Sequence, residues 1–283
     1  MDGFVVVDKP AGITSFDVVR QARRKLDFQK IGHLGTLDPQ ATGVMVLAIN
    51  QATKLVEYLM KADKEYIGTI TLGATSNTFD CEGEITQTDA EPVTEDQIRL
   101  VMKGFMGKIS QIPPKYSAVK INGQRACDIV RRGGDVKLKA KTVTIHELEI
   151  LEYKWPLLKV RVNCGSGTYV RSIANDMGEK LGCGAYLSDL QRTLVGRFAI
   201  EGAASLDNLS RDDMRPIDEL VADWPRWDLP EFVYSRLRSG LSIAAPGNLA
   251  KYELIAAYYD GEFKGVLQWM KGATILKFKK QIV

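Results

Sequence analysis

Apolar positions along this chain fall into short runs with two distinct spacings, broken by glycine, proline and charged residues, and the spacing predicts the element. FVVVD, residues 4 to 8, reads as a strand, and Lys9-Pro10-Ala11-Gly12 turns the chain. Thr14, with Asp17 three residues on, forms a capping box for a helix whose inner face carries Val18, Val19, Ala22 and Leu26. VMVLAI, 44 to 49, reads as a buried strand, with Asn50 as the N-cap of a segment in which Ala52, Leu55, Val56 and Leu59 have helical spacing. YIGTITLG, 66 to 73, alternates with Tyr66, Ile70 and Leu72 on one face.

Further along, the acidic, turn-rich stretch 74 to 94 predicts a surface connection into a helix from Glu95 to about Met106. PPKYSAVKINGQRACDIVRRGG, 113 to 134, reads as a long basic excursion from the core. TVTIHELEILEY and LLKVRVNCG are strands, and the second leads through GSGTYVR into a helix with Val170, Ile173, Ala174, Met177 and Leu181 inside, stopped by Gly182. Strands and helices do not alternate regularly, and neighbouring strands suggest hairpins. The expectation is an α+β fold with a mixed, mainly antiparallel sheet flanked by helices. Proline and tryptophan in WPRWDLPEF, 224 to 232, interrupt the pattern, so the chain divides into residues 1–228 and a short, mostly β unit over 229–283.

Composition narrows the class. The apolar runs are far shorter than the roughly 18 residues of a membrane helix, and the N-terminus lacks a basic-then-apolar signal, which makes a cytoplasmic location the expectation. Cys81, Cys127, Cys164 and Cys183 form no CxxC pair, and only His33 and His146 accompany them, so neither a zinc site nor a disulfide framework is expected. Two histidines also leave little room for a Ser-His-Asp hydrolase.

Charge is small in total, +3, but segregated. Ten Lys or Arg lie between Lys103 and Lys141 against Asp128 and Asp135, and Arg20, Arg23, Arg24, Lys25 and Lys30 form a second cluster. The last twenty residues hold Lys264, Lys271, Lys277, Lys279 and Lys280 without an acid, whereas residues 76 to 98 hold seven acids and no base. Such a pattern suits a polyanionic partner on one face, although solvated basic loops share it.

The densest chemistry lies in GHLGTLDPQATG, 32 to 43. Pro39 restrains Asp38 to extended backbone, and Gly32, Gly35 and Gly43 permit turns that other residues resist. The loop thus looks built to place one carboxylate, with an ordinary Asp-Pro turn as the plainer reading.

KIGHLGTLDPQATGVMVLAINQATKL resembles the catalytic motif of the bacterial tRNA pseudouridine-55 synthases, the TruB family. VVVDKPAGITSFDVV, KEYIGTITLG, IPPKYSAVKINGQRACDIVRRG and CGSGTYVRSIANDMGEKLGCGAYLSDLQR resemble it too, in family order over residues 3 to 193. The C-terminal stretch, with LRSGLSIAAPG near its start, is more loosely similar to a trimmed PUA-type RNA-binding domain. The resemblance implies isomerisation of one uridine of the tRNA T arm, without metal or other cofactor, by a chain acting as a monomer with no protein partner and no membrane.

It also implies roles. Asp38 matches the essential aspartate, nucleophile or base on the uridine, and Arg171 its partner arginine, although on its helix Arg171 falls off the apolar stripe and alone reads as solvated. Tyr66 matches the tyrosine against the target base, and Leu190 an apolar pocket residue; each also reads as core. A uridine in a folded loop must be flipped out to be reached. His33 matches the residue that fills the space it leaves. Lys9 and Pro10 match a pair supporting the catalytic loop, Tyr169 is expected to position Arg171, and the insertion 113–141 to close over the T arm. In TSNTFDCEG, 75 to 83, Asp80 stands where the family has an aspartate, but its neighbours depart from the usual pattern.

Three other readings compete. A non-catalytic RNA-binding or tRNA-folding protein would use the same basic segments. A guide-RNA-dependent relative would share the motif, but the compact C-terminus favours a stand-alone enzyme. A retaining glycoside hydrolase needs a second carboxylate about 5 Å from the first, and none is apparent in these motifs.

Overall fold

The computed structural model describes residues 2–244, 247–249, 252–270 and 275–282. It is built on a mixed sheet whose central strand comes late in the chain. The first strands follow the alternation: β1 (Gly3–Lys9), a short β2 (Ile31–His33), β3 (Thr42–Ile49) and β4 (Lys64–Leu72). A hairpin of β5 (Ala74–Ser76) and β6 (Ile85–Gln87) follows, then β7 (Gly107–Gln111). In the basic excursion lie a second small hairpin, β8 (Lys120–Ile121) with β9 (Gln124–Arg125), and the helix α4 below; β10 (Lys141–Lys154), β11 (Leu157–Cys164) and β12 (Ala185–Val195) complete the sheet. The main path runs β1-β3-β12-β4-β11-β10-β7. β12 lies antiparallel to β4 and parallel to β3, so two strands close in sequence are held apart by one more than a hundred residues downstream.

Helices cover the sheet as their apolar stripes dictate. α1 (Ser15–Leu26) begins with the reciprocal Thr14–Asp17 capping box and buries Val18, Val19, Ala22 and Leu26. The segment after β3 is a 3₁₀ turn, Asn50–Leu55, leading into α2 (Val56–Leu59). Asn50 is not an N-cap: it is the first residue of that turn, Ile49 holds the cap position, and the φ of Asn50 is +53°. α3 (Glu95–Met102) passes into a 3₁₀ turn ending at Phe105, and α4 (Ala126–Arg131) follows β9. α5 (Val170–Leu181) stops at Gly182 with φ +74°, a left-handed cap that costs glycine little.

β13 (Phe198–Ala199), β14 (Ala204–Ser205) and β15 (Arg215–Pro216) finish the main sheet, the last two pairing with β1. β16 (Arg226–Asp228), α6 (Glu231–Arg238), β17 (Ile243–Ala244), β18 (Leu254–Tyr259), β19 (Glu262–Trp269) and β20 (Ile275–Gln281) form a second, five-stranded unit. β16 pairs with β18, so this sheet starts three residues before position 229. One apolar cluster joins the two sheets: Phe4, Val44, Val46 and Phe198 pack with Ala256, Tyr258, Phe263 and Val266. The basic tail is partly neutralised, Lys264 by Glu262 at 2.5 Å and Lys280 by Glu57 at 2.8 Å. Lys271, and Ala245 and Pro246 of LRSGLSIAAPG, lie outside the described residues.

Gly43 fixes how closely β12 can approach the Asp38 loop. Its φ is +101°, and a Cβ there would meet the Arg192 carbonyl oxygen at 2.2 Å. Gly43→Ala is therefore expected to cost about 3 kcal/mol or more through strain and overpacking, read as a fall in melting temperature of about 6 °C or more.

Candidate active site

Asp38 is held by pinning the residues on either side of it. Before it, the buried Ser15 hydroxyl accepts from the Leu37 amide at 2.8 Å and is 2.9 Å from the Leu37 carbonyl, to which it donates. After it, the Gly12 amide donates to the Pro39 carbonyl at 2.9 Å. Lys9 ends β1 with no exposed surface, and its Nζ donates to the carbonyls of Pro10, Pro39 and Ala41 at 2.9, 2.8 and 2.6 Å. Three acceptors use all three ammonium protons, so the lysine acts as a clasp on the loop.

Arg171 faces Asp38 from the start of α5. Its Nη1 donates to Asp80 at 2.6 Å, and its Nη2 to Asp38 at 3.2 Å and to the Tyr116 carbonyl at 2.8 Å. The Arg171 side chain is 6% exposed, that of Asp80 10% and that of Asp38 42%. The other Asp80 oxygen accepts from the Thr78 hydroxyl at 2.6 Å and the Glu82 amide at 3.1 Å. One guanidinium is thus shared between two carboxylates, with the shorter hydrogen bond to the one that is locked away. Asp38 is left incompletely neutralised at the cleft, the condition a reactive carboxylate needs. Burial among its neighbours pushes the Asp38 carboxyl above the usual aspartate range, Arg171 opposes this, and Asp80 adds to it.

Arg171 is buried where its place on α5 had suggested solvent. The stripe argument assumes one covered face, but Arg171, Ser172 and Asn175 are buried as well as Val170, Ile173, Ala174 and Met177. The extra cover comes from the 77–82 loop and from the start of the basic excursion, whose Ile112 and Tyr116 carbonyls accept from Ser172 and Arg171. That excursion is therefore anchored at its root, where Pro113, Pro114 and Ser117 are buried. Gln111 completes the anchor by accepting from the Tyr169 amide at 2.8 Å and donating to its carbonyl at 3.1 Å.

The cleft in front of Asp38 is walled by Ala41, Glu82, Leu187 and Leu190 among others and leaves about 30 Å³, space for a water or two rather than a base. Asp80 and Glu82 belong to this cleft, so a second carboxylate does stand beside Asp38, and the acidic stretch 74 to 94 is not merely a surface connection. The resemblance marked Asp80, but spacing could not place it beside Asp38, because the 77–84 loop is brought in by a tertiary contact, the Asp80–Leu187 bridge to β12. Asp80 is not free to serve as an acid, since both of its oxygens are engaged.

Other expected residues take different positions. Tyr66 is buried on β4, paired in register with Arg192 of β12, and burial pushes its pKa up and keeps it a phenol. His33 ends β2 half-buried, its Nδ1 accepting from the Gly35 amide at 3.3 Å, so the ring is held against its own loop; burial lowers its pKa and favours the neutral form. Tyr169 directly precedes α5, and Pro10 is exposed at the turn after Lys9. The residues missed are Arg192, which is 1% exposed and donates to the carbonyls of Val44, Gly35 and Thr36, and Lys64, which donates to those of Met60 and Ala62. A cation at an inward position of the alternating β4 was the available signal for Lys64; β12 carries two register shifts that break its alternation, so spacing gave none for Arg192.

A two-sided pH profile follows from these groups. Activity that needs the Asp38 carboxylate is expected to fall on acidification at a pH above the ordinary aspartate value of about 4, because its pKa is raised. Burial lowers Lys9 to about 8, so the clasp is lost as pH rises through that value. The stability sign is opposite: a lysine with a depressed folded pKa binds fewer protons folded than unfolded between about 8 and 10.5, so its contribution to stability grows with pH there. An activity profile falling near pH 8 without a fall in melting temperature is the expected pair of measurements.

Comparison with known structures places the class first. An H/ACA RNP bound to a substrate RNA containing 2'-deoxyuridine matches with a TM-score of 0.75 at 25% identity, over 99% of this chain and 85% of that one. A Cbf5-Nop10-Gar1 complex matches at 0.76 and 28%, over 99% and 84%. The architecture is the pseudouridine synthase fold. Residues 23–170 match the TruB family pseudouridylate synthase N-terminal domain, and 171–222 the tRNA pseudouridylate synthase B C-terminal domain. The tRNA pseudouridine synthase B of Dehalococcoides mccartyi is 40% identical, covering 95% of this chain and 92% of the relative; that of Clostridium tetani is 35% identical over 98% and 99%. The chain belongs to the TruB family and is a pseudouridine synthase, an isomerase. Among the described residues no helix is long and apolar enough to cross a membrane.

Proposed function

We propose that this chain isomerises uridine 55 in the T arm of tRNA to pseudouridine, through a flipped-out nucleotide and Asp38, with no metal or other cofactor. The N1–C1′ bond breaks, the base turns, C5 joins C1′, the C5 proton leaves to solvent and N1 regains one. The observation that carries the reading is the Asp38 carboxylate, pinned on both flanks and facing a cleft beside an arginine clamped to Asp80. Asp38 acts on the uridine, Arg171 holds it, and Leu190 lines the base site. The Tyr66 ring lies against the base, and Tyr169 positions Arg171. His33 swings from its loop to fill the vacated stack, while Lys9 and Pro10 support the loop.

A cleft with room for a water or two admits a uridine only if a wall moves. The insertion 113–141 is suited to this: it is rooted at Arg171 through Tyr116, and beyond that root its exposed lysines and arginines face phosphate. The division into a catalytic unit 1–228 and a short PUA-like unit 229–283 gives the tail a share in RNA binding. The enzyme acts as a cytoplasmic monomer.

The test is tritium release from a tRNA transcript labelled at uridine C5, with the modified position mapped by carbodiimide and primer extension. About one tritium per tRNA and a single stop at position 55 support the reading. Tight binding without release would favour an RNA-binding protein on the same fold, and release only with an added guide RNA would favour a guided enzyme like those in the H/ACA structures.

A further inference from the structure

The clasp that pins Leu37 has a second consequence on its other side. Ser15, whose hydroxyl bonds both the amide and the carbonyl of Leu37, is the first residue of α1, and the next residue, Phe16, is 63% exposed. The backbone of Phe16 is therefore anchored next to the serine that pins the residue before Asp38, with its ring open to solvent. Scattered exposed apolar side chains need no explanation, but this one continues into a charged row. Phe16, Arg20 and Arg24 follow at i, i+4 and i+8 on the exposed face of α1, opposite Val18, Val19, Ala22 and Leu26. α1 carries Arg20, Arg23, Arg24 and Lys25 against the single acid Asp17. Arg20 leans on Asp17 at 2.5 Å, Arg23 and Lys25 bond carbonyls of Ile31 and Asp207, and Arg24 stands exposed at the far end of the row.

We infer that this face of α1 is a docking surface for the substrate RNA, in which Phe16 stacks on an unpaired base beside the flipped nucleotide and Arg20 and Arg24 meet the phosphates that lead away from it. The charge complementarity selects a polyanion, and the aromatic head of the row, set at the reactive loop, selects a nucleic acid with unstacked bases over a plain polyanion. A flipped nucleotide leaves its neighbours with an uncovered face, and an aromatic ring is the side chain that covers a base without regard to its identity. The inference rests on RNA being the substrate, the reading given above.

The experiment measures binding and single-turnover tritium release with the full chain and a C5-labelled tRNA transcript. Phe16→Ala and Phe16→Leu are expected to weaken binding about tenfold, the loss of one base stack, while Phe16→Tyr binds as the unaltered chain does. Because the side chain is exposed, all three variants are expected to melt with the unaltered chain. Replacing Arg20 and Arg24 by glutamine should lower the salt dependence of binding by a slope of about one for each phosphate no longer neutralised. A transcript abasic at the stacked T-loop position should bind the unaltered chain more weakly and Phe16→Ala no more weakly than the intact transcript does. Equal affinity of Phe16→Ala and the unaltered chain, or of Phe16→Leu and Phe16→Tyr, overturns the docking surface. Failure of the unaltered chain to release tritium, with these affinity differences intact, overturns the isomerase reading of tRNA and leaves the docking surface standing.

Discussion

Asp38→Asn is expected to lower tritium release by at least about 10⁴-fold, the scale on which loss of a sole reacting group acts, and to leave the melting temperature at pH 7 unchanged or higher. The first half follows if the carboxylate reacts with the uridine, since asparagine keeps the shape and a hydrogen bond to Arg171 but neither the charge nor the basicity. The second half follows from linkage. Burial raises the Asp38 pKa, so the folded state binds its proton more tightly than the unfolded chain does. Any stability from that group is complete below the unfolded pKa and is lost as pH rises through the raised folded value. The ionised carboxylate is therefore a burden on the fold, and an uncharged amide relieves it, the familiar opposition of activity and stability. An inactive variant that also melts early would argue instead that Asp38 holds the loop together.

The second large effect is expected at Arg192. Its guanidinium is buried with no carboxylate partner among the described residues, donating to the carbonyls of Val44 at 2.8 Å, Gly35 at 3.1 Å and Thr36 at 3.4 Å. Two of those carbonyls belong to the loop that ends in Asp38, and Arg192 also pairs in register with Tyr66 of β4. Arg192→Met fills much of the volume but leaves these acceptors dry, at a cost of about 3–5 kcal/mol. Calorimetry should show a fall of about 8–15 °C in melting temperature. If the variant melts within about 2 °C of the unaltered chain, water must replace the guanidinium, and Arg192 is not what sets the loop.

Local structure was legible in the sequence because local forces make it. The Thr14–Asp17 box, the alternation of Tyr66, Ile70 and Leu72, and the Gly182 stop each depend on neighbours a few residues away, and each is found as read. Asn50 shows the limit of that logic: its side chain suited a cap, but φ +53° let it carry the bend itself. Spacing alone made the site legible only as far as one motif reaches. Asp38 announced itself through Pro39 and the glycines. Arg171 was marked by the family resemblance and not by its own helix, because its burial comes from segments 55 and 91 residues distant, at Tyr116 and Asp80. The Asp80 loop looked like acidic surface for the same reason, and Arg192 was hidden in a strand whose neighbours no spacing rule specifies. What joins these residues is the order of strands, which is a property of the whole chain.

That order also sets when the enzyme can begin to exist. β3 and β4 are made early, yet each waits for β12 to lie between them, and β1 waits for β14 and β15 beyond it. A growing chain on the ribosome therefore displays unpaired strand edges for most of its synthesis. The catalytic loop is translated within the first fifty residues, but Arg171, Leu190 and Arg192 arrive only with the last strands of the large sheet. An interrupted translation product thus carries Asp38 without the arginine and the strand that surround it in the finished fold.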